Sequence, residues 1–333
     1  MMLIRKENFD DIRRGFFLWS GLHIAMGLID LGSKLTGLGD ILMPIRTASY
    51  AMITEAEQAG FVRIVGGYSE ASAFGGVSLA CLAFTYTYWR RTKSIKAFVM
   101  TGALLVLLLL STSSTAYVGL VIICIPVGIS LTRSFLSGRF KSEDILILTF
   151  FILAIVVTLG IGLHSPKSFD PVVRLFDTAI VNKSSSESGQ ERAYWNYKSL
   201  EAFIDTGGFG VGLGSSRASS WPVAVLSQLG AIGVVLVAAL LAVLVRGLSG
   251  LQSRLDPETS AIVSSVQACS LAGVVSASIG GGSADPGLVF FIAIAVIASA
   301  RSIAQKMPFA ALASSDRLHL TPYGRAGSFI YAA

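Results

Sequence analysis

The sequence predicts an all-α polytopic membrane protein with about eight transmembrane helices and one large polar loop outside the membrane. Three observations carry that prediction. Of 333 residues, 53% are hydrophobic and only 14% are charged, against about 25% charge in soluble domains. Mean hydropathy is +0.69, and several uncharged stretches approach the ~20 residues a helix needs to cross hydrocarbon. The third is a single long polar block, residues 164–221, with apolar runs on both sides. A membrane β-barrel would instead show alternating segments of about 10 residues.

Eight candidate spans follow in order: 15–35, 71–89, 97–111, 114–131, 145–163, 222–245, 260–280 and 286–300. The first is the weakest, because His23 and Asp30 interrupt it. It follows Arg5, Lys6, Arg13 and Arg14 without a convincing cleavage site, and so reads as a retained span. The third and fourth form one apolar stretch broken only by Ser111-Thr112-Ser113-Ser114-Thr115, a polar cluster that reads as a tight hairpin at one membrane face. Trp89 and Trp221 fall at span ends, where an amphipathic indole favours the interface. Ser184-Ser185-Ser186 reads as a spacer. The chain reads as one membrane domain, 1–333, with 164–221 as its loop.

Orientation follows from Lys and Arg placement. Arg90, Arg91, Lys93 and Lys96 crowd one short loop, Arg133, Arg139 and Lys141 another, and Arg246 and Arg254 a third; Arg301 and Lys306 follow the last span. With both termini cytoplasmic, all of these lie inside, as the positive-inside rule requires. The same threading puts 36–70 and 164–221 outside. A net charge of +6 is accounted for by those loops, so nucleic acid is not expected as a partner.

Cys81, Cys124 and Cys269 sit in apolar runs without a CxxC pair and read as small buried residues. His23, His164 and His319 are scattered, and Asp10-Asp11 makes no metal-diphosphate pattern, so no metal site and no cofactor are expected. The spans are nearly free of ionisable residues, whereas transporters keep such groups at mid-membrane depth. Chemistry is therefore expected in the outer loops, which hold Arg63, Glu70, Arg174, Glu191, Arg192, Lys198, Asp205 and Arg217.

The glycine-rich run 207–220 lacks the Gly-Lys-Ser/Thr ending of a P-loop and any βαβ setting. Glycines at 207, 208, 210, 212 and 214 fit an anion-binding nest of backbone amides, with Arg217 adding a positive fork. They fit close packing of a loop on a helix equally well. Glu191-Arg192 followed by Trp195 also fits the start of a surface helix with a membrane-facing indole.

Residues 191–220, ERAYWNYKSLEAFIDTGGFGVGLGSSRASS, followed by WPVAVLSQLGAIG and a span, resemble the O-antigen ligase and O-antigen polymerase superfamily. Those are bacterial inner-membrane enzymes that join glycans carried on undecaprenyl pyrophosphate. The shared pattern is an Arg with a nearby Trp, a G-x-G-x-G segment, and a Leu-rich stretch ending in G-x-x-G, here Gly230-Ala231-Ile232-Gly233. The upstream R-x-x-G-G-x-x-E, from Arg63 to Glu70, resembles the family's earlier periplasmic arginine segment. Ligases carry a His, usually followed by Asn, where this chain has Ser219-Ser220, which leans toward a polysaccharide polymerase or an exopolysaccharide homologue. Family members usually have eleven or twelve spans, so eight correspond to the C-terminal two-thirds.

The resemblance implies a glycosyltransferase type C-like fold in the inner membrane, with 164–221 periplasmic. It implies polymerisation or transfer of an undecaprenyl-pyrophosphate-linked oligosaccharide, without metal or cofactor. Arg63, Arg192 and Arg217 would clamp the pyrophosphate. Glu70 or Glu191 would orient or deprotonate the acceptor hydroxyl, and Tyr68, Tyr194 and Trp195 would stack on sugar faces or anchor the interface. Gly210, Gly212, Gly214 and Ser219 would line the substrate. Membrane lipids and other polysaccharide-assembly proteins are the remaining expected partners. The competing expectations are an O-antigen ligase with a lipid acceptor, a non-enzymatic polysaccharide or lipid transporter, and an inactive fragment.

Overall fold

The computed structural model describes residues 8–46, 57–58, 61–138 and 187–306. Eight helices follow in chain order among them: α1 Asn8–Thr36, α2 Ala71–Thr92, α3 Ile95–Leu110, α4 Ser114–Leu136, α5 Glu187–Asp205, α6 Trp221–Arg246, α7 Pro257–Gly280 and α8 Leu288–Lys306. A two-residue antiparallel ladder pairs Glu57–Gln58 with Phe61–Val62.

Five of these helices, α1, α4, α6, α7 and α8, are long and apolar enough to cross a membrane. The chain is accordingly a multi-pass helical membrane protein. Five is fewer than the eight spans expected, for local reasons. Span 145–163 lies outside the described residues, as do Ser184-Ser185-Ser186, His164, Arg174 and His319. The helix α3 has 16 residues, only about 24 Å at 1.5 Å per residue. Helix α2 is interrupted by Ser, Thr and Tyr and ends in Arg90 and Arg91. It is the central helix, burying Phe74, Leu79, Cys81, Leu82, Phe84, Tyr88 and Trp89 against its neighbours.

The ends of the helices are written locally. Asp10 and Asp11 sit in the first turn of α1 and Lys34 in its last, each complementing the helix dipole. Ser94 and Ser113 accept amide bonds from Ala97 and Ala116 at the starts of α3 and α4, and Asp256 accepts from Thr259 ahead of Pro257, all N-caps. The hairpin at Ser111–Ser113 is as expected, with Thr112 at φ 47° in the turn. Close packing of α2 depends on missing side chains: a Cβ on Gly75 would stand 2.6 Å from that of Ala116, and one on Gly76 2.4 Å from Ser276 Oγ. Small residues let membrane helices approach in this way.

Two expectations are corrected. Trp89 and Trp221, expected at the interface, are both buried; the Trp221 Nε1–H donates to the Ala284 carbonyl at 3.0 Å, and this indole joins α6 to the α7–α8 turn. Cys124 is exposed on α4, unlike Cys81 and Cys269, because α4 turns Val121, Ile125 and Ile129 outward on an apolar belt.

The bundle has two chemically distinct ends. At one, Arg13 Nη1 meets Glu258 Oε1 at 2.6 Å, the Tyr88 hydroxyl donates to the same oxygen, and Arg301 donates to the Gly247 carbonyl. The turns after α2 and α6, with their Lys and Arg, are at this basic end. At the other end lie the α3–α4 and α7–α8 turns. There Asp30 is fully buried and binds Arg46 Nη2 at 3.1 Å and Lys34 Nζ at 3.1 Å. Its Oδ2 also accepts the amides of Val65 and Gly66 at 2.7 and 2.9 Å. Arg46 in turn donates to the Gly66 carbonyl and to Asp40. Seventeen residues of α1, about 25 Å of helix, separate Arg13 from Asp30, a distance comparable to the ~30 Å of hydrocarbon.

Candidate functional site

The expected site residues lie at the Asp30 end. Asp30 and Arg46 pin the backbone of Val65 and Gly66, and thereby the segment from Arg63 to Glu70. The Arg63 carbonyl accepts from Lys34 Nζ at 2.5 Å, and its side chain is half-buried. Glu70 ends this segment just before α2, half-buried, with Oε1 accepting from the Ser72 hydroxyl at 2.5 Å.

Glu70 and Ser72 line a cavity of about 410 Å³ between α2, α7 and α8. Its walls include Thr115, Ser276, Gly280 and Gly281 toward this end and Trp19, Ala80, Ser270 and Phe290 deeper in the bundle. Arg192 on α5 reaches the same rim. Its Nη1 donates to the Ile279 carbonyl at 3.2 Å, and a Cβ on Gly280 would stand only 3.1 Å from that nitrogen. A cation there complements the exposed carbonyls and negative end of α7. One donor is engaged and the fork retains others.

Beside it, Glu191 Oε1 accepts from Trp195 Nε1 at 3.2 Å and lies 3.9 Å from Arg217 Nη2. The Arg217 guanidinium lies over the indole, 4.7 Å from its centroid. Tyr194 meets the same indole edge-on at 5.3 Å. The structure therefore joins Glu191, Tyr194, Trp195 and Arg217 in one exposed cluster, next to Arg192. Glu191 thus holds Trp195, with Arg217 close by. Trp195 has one ring face covered by Arg217.

Tyr68 points inward. Its ring packs against His23 and Phe74, and its hydroxyl lies 3.3 Å from His23 Nδ1. Burial pushes its phenol up to about 12, so it stays neutral at ordinary pH.

The glycine run resolves its two readings through hydrogen bonding. Helix α6 breaks at Gly230, which has φ 68° and ψ −172°. A break releases the carbonyls of Ser227 and Gln228 and the amide of Ala231 from the helical ladder, and such groups need partners. The run supplies them. Val211 N–H donates to Ser227 O at 2.9 Å, Gly212 N–H to Gln228 O at 3.0 Å, and Ala231 N–H to Gly208 O at 2.9 Å. Gly210 N–H donates to Thr206 Oγ1 and Gly214 N–H to Gln228 Oε1. The amides of Gly210, Gly212 and Gly214 are thus engaged within the chain, and loop-on-helix packing replaces the anion nest. Ser219 is held through its amide, which donates to Asn196 Oδ1 at 2.8 Å.

Three residues of this region were not read from the sequence. Gln228 is buried and binds Gly214, Ala284, Ser216 and Gly282 through one side chain. Asn196 ties α5 to Ser219, and Thr115 lines the cavity beside Arg192. Among the described residues no three His, Cys, Asp or Glu side chains gather as metal ligands. No protein-family model, no curated protein and no solved structure matches the sequence.

Proposed function

We propose that the protein is a membrane glycosyltransferase of the polysaccharide polymerase or ligase type. It acts on undecaprenyl-pyrophosphate-linked glycans at the periplasmic face of a bacterial inner membrane, with eight spans and cytoplasmic termini. The observation that supports this reading most is a cavity lined by Glu70 and Gly280, with Arg192 bonded to the Ile279 carbonyl beside that glycine. Arg217 stands close by through Glu191 and Trp195. Opposite charges around an opening at the less basic end suit a substrate with an anionic head and an apolar tail.

In this reading Arg192 and Arg217, with Arg63 as a third cation, hold the pyrophosphate. The glycosyl C1–O bond breaks with its electron pair passing to the pyrophosphate oxygen, where the arginines stabilise the charge. The acceptor hydroxyl oxygen bonds to C1, and its proton passes to the Glu70 carboxylate. Tyr194 is the exposed aromatic for sugar contact. Ser219 in place of a histidine favours polymerisation over ligation.

The test is polymer formation in cells carrying Arg192→Lys or Arg217→Lys protein that still reaches the membrane. Each loses polymer on this reading, and retention of wild-type polymer by both overturns it. Elongation of a lipid-linked oligosaccharide by purified protein separates polymerase from ligase.

One observation favours a transporter as second reading: His23 and Asp30 are both buried on α1, and intramembrane ionisable groups mark pathways. Asp30 is saturated by two amides and two cations, the state of an anchor. His23 lies about two turns deeper, bonded to Ser78 Oγ at 2.7 Å. Glycan flux through proteoliposomes without new glycosidic bonds would establish this second reading.

A further inference from the structure

Helix α5 presents three faces. Arg192, Asn196, Ser199 and Phe203 recur at intervals of four, three and four residues and face the protein. Arg192 bonds to α7, Asn196 bonds to Ser219, and Ser199 is 1% exposed. Glu191, Lys198, Glu201 and Asp205 fall in a second sector, with Lys198 and Glu201 paired at 2.6 Å. The third sector holds Ala193, Tyr197, Leu200 and Ile204, which lie within about 60° of one another at ~100° per residue. All four are exposed, Tyr197 to 64% and Ile204 to 72%. The charged and apolar sectors are centred about 110° apart on the same wheel.

A helix lying in the plane of a membrane at the edge of a bundle needs three such faces: one for protein, one for water and one for lipid. A helix raised clear of the bilayer would need only two. The apolar sector also continues in the chain that follows. Phe209 is 79% exposed, and its neighbour Gly208 accepts from Ala231, which opens the straight lower part of α6. There Ile232, Val235 and Leu236 are exposed on the apolar belt. Arg192 anchors the other end of α5 at the last turn of α7. The exposed stripe is thus joined, through Phe209 and the Gly208–Ala231 bond, to the exposed face of α6 that begins at Ile232.

We propose that α5 is an interfacial helix whose Tyr197–Leu200–Ile204 face, with Phe209, is seated in the headgroup and upper acyl region of the bilayer the protein spans. Such helices bury an apolar face about 5–10 Å into that boundary. This holds α5, and with it Arg192 and Trp195, at the level of phosphate headgroups. The proposal stands independently of the glycosyltransferase reading.

Spin labels on protein reconstituted in liposomes test it. In a Cys124→Ser background, single cysteines replace Leu200, Ile204 and Phe209, with Lys198→Cys and Asp205→Cys as references. Collision with oxygen, which concentrates in lipid, is compared with collision with a water-soluble nickel chelate. The expected result is that labels at 200, 204 and 209 meet oxygen several-fold more than nickel, and labels at 198 and 205 the reverse. Equal or nickel-dominated collisions at 200 and 204 overturn the proposal, as does protection from both reagents, which would mean a protein or a second copy covers the face. Leu200→Trp and Ile204→Trp give a second readout: their emission is quenched by brominated lipid if the face is seated, and unaffected by it if not.

Discussion

The Arg217 guanidinium rests over the Trp195 indole at 4.7 Å, and Glu191 touches both residues. Arg217 is 70% exposed, so this cation–π contact contributes about 0.5–1 kcal/mol and the ion pair about 0–1 kcal/mol. Under the proposed function they matter for aim more than for stability. Trp195→Ala should leave thermal unfolding in detergent nearly unchanged while lowering polymer yield, because Arg217 loses its platform. Trp195→Phe keeps a ring and should restore most of the yield. Equal loss in both variants would mean that the indole, through Glu191, matters more than the stack.

The loop-to-helix seam predicts a different effect. At Gly230 a Cβ would stand 2.3 Å from the Phe209 carbonyl oxygen and 2.6 Å from that of Gly208. Both are backbone atoms that cannot turn aside, and φ is 68°, which costs a side chain about 1–2 kcal/mol by itself. Gly230→Ala should detach residues 208–214 from α6 and expose them to protease. Gly102→Ala meets nothing within 4 Å in α3 and should be neutral or stabilise by about 0.5–1 kcal/mol. Comparable protease sensitivity in the two variants would show that the seam is not what holds the loop.

Much of this fold is legible as hydropathy. The turn at Ser111–Ser113, the ends of α2 and α7, and the Lys and Arg clusters in the turns after α2 and α6 all follow from local composition. The Gly230 break is not legible that way, because nothing in an apolar run says that its carbonyls, those of Ser227 and Gln228, will be taken by the amides of Val211 and Gly212 in the preceding loop. The G-x-G-x-G pattern indicated close approach, but whether a ligand or a helix does the approaching is decided by tertiary packing. In the sequence Asp30 reads only as a flaw in a span, since hydropathy counts a charge and cannot see its partners. Arg46, from an unremarkable loop, supplies the missing half.

That pair makes a stability prediction. Asp30 and Arg46 side chains are 0% and 1% exposed, so removing one leaves the other buried with one countercharge gone. Lys34 and two amides still hold Asp30, and Asp40 and the Gly66 carbonyl still hold Arg46. The cost should therefore stay below the ~3–5 kcal/mol of a buried charge left wholly unpaired. Asp30→Leu and Arg46→Met should each lower the unfolding temperature strongly. The double variant removes both charges and should be less destabilised than the sum of the two. Strict additivity in that cycle would show that the two charges do not act on each other.

Gln228 makes a third, structural prediction. Its Oε1 accepts from Gly214 and Ala284, and its Nε2 donates to the Ser216 and Gly282 carbonyls. Gln228→Ala strands these partners, at about 1–3 kcal/mol. Gln228→Glu keeps the acceptor and turns a carboxylate oxygen toward two carbonyls, so it should destabilise at least as much near neutral pH. Recovery of Gln228→Glu stability at acidic pH, where a protonated carboxyl can donate again, would confirm the polarity of this contact. A pH-independent loss would point to packing instead.

Arg192 separates function from architecture most directly. Its hydrogen bond to the Ile279 carbonyl is a helix-end contact that a lysine ammonium can also make, worth about 0.5–1.5 kcal/mol. The remaining guanidinium donors cannot be reproduced by lysine, which lacks the planar fork. Arg192→Lys should therefore unfold within a few degrees of wild type yet lose on the order of 10²–10³ in turnover, the usual effect of deleting one charge-stabilising donor. Arg192→Ala should lose both. If Arg192→Lys instead loses stability and activity in parallel, Arg192 is a cap on α7 and the pyrophosphate clamp must be sought at Arg217 and Arg63.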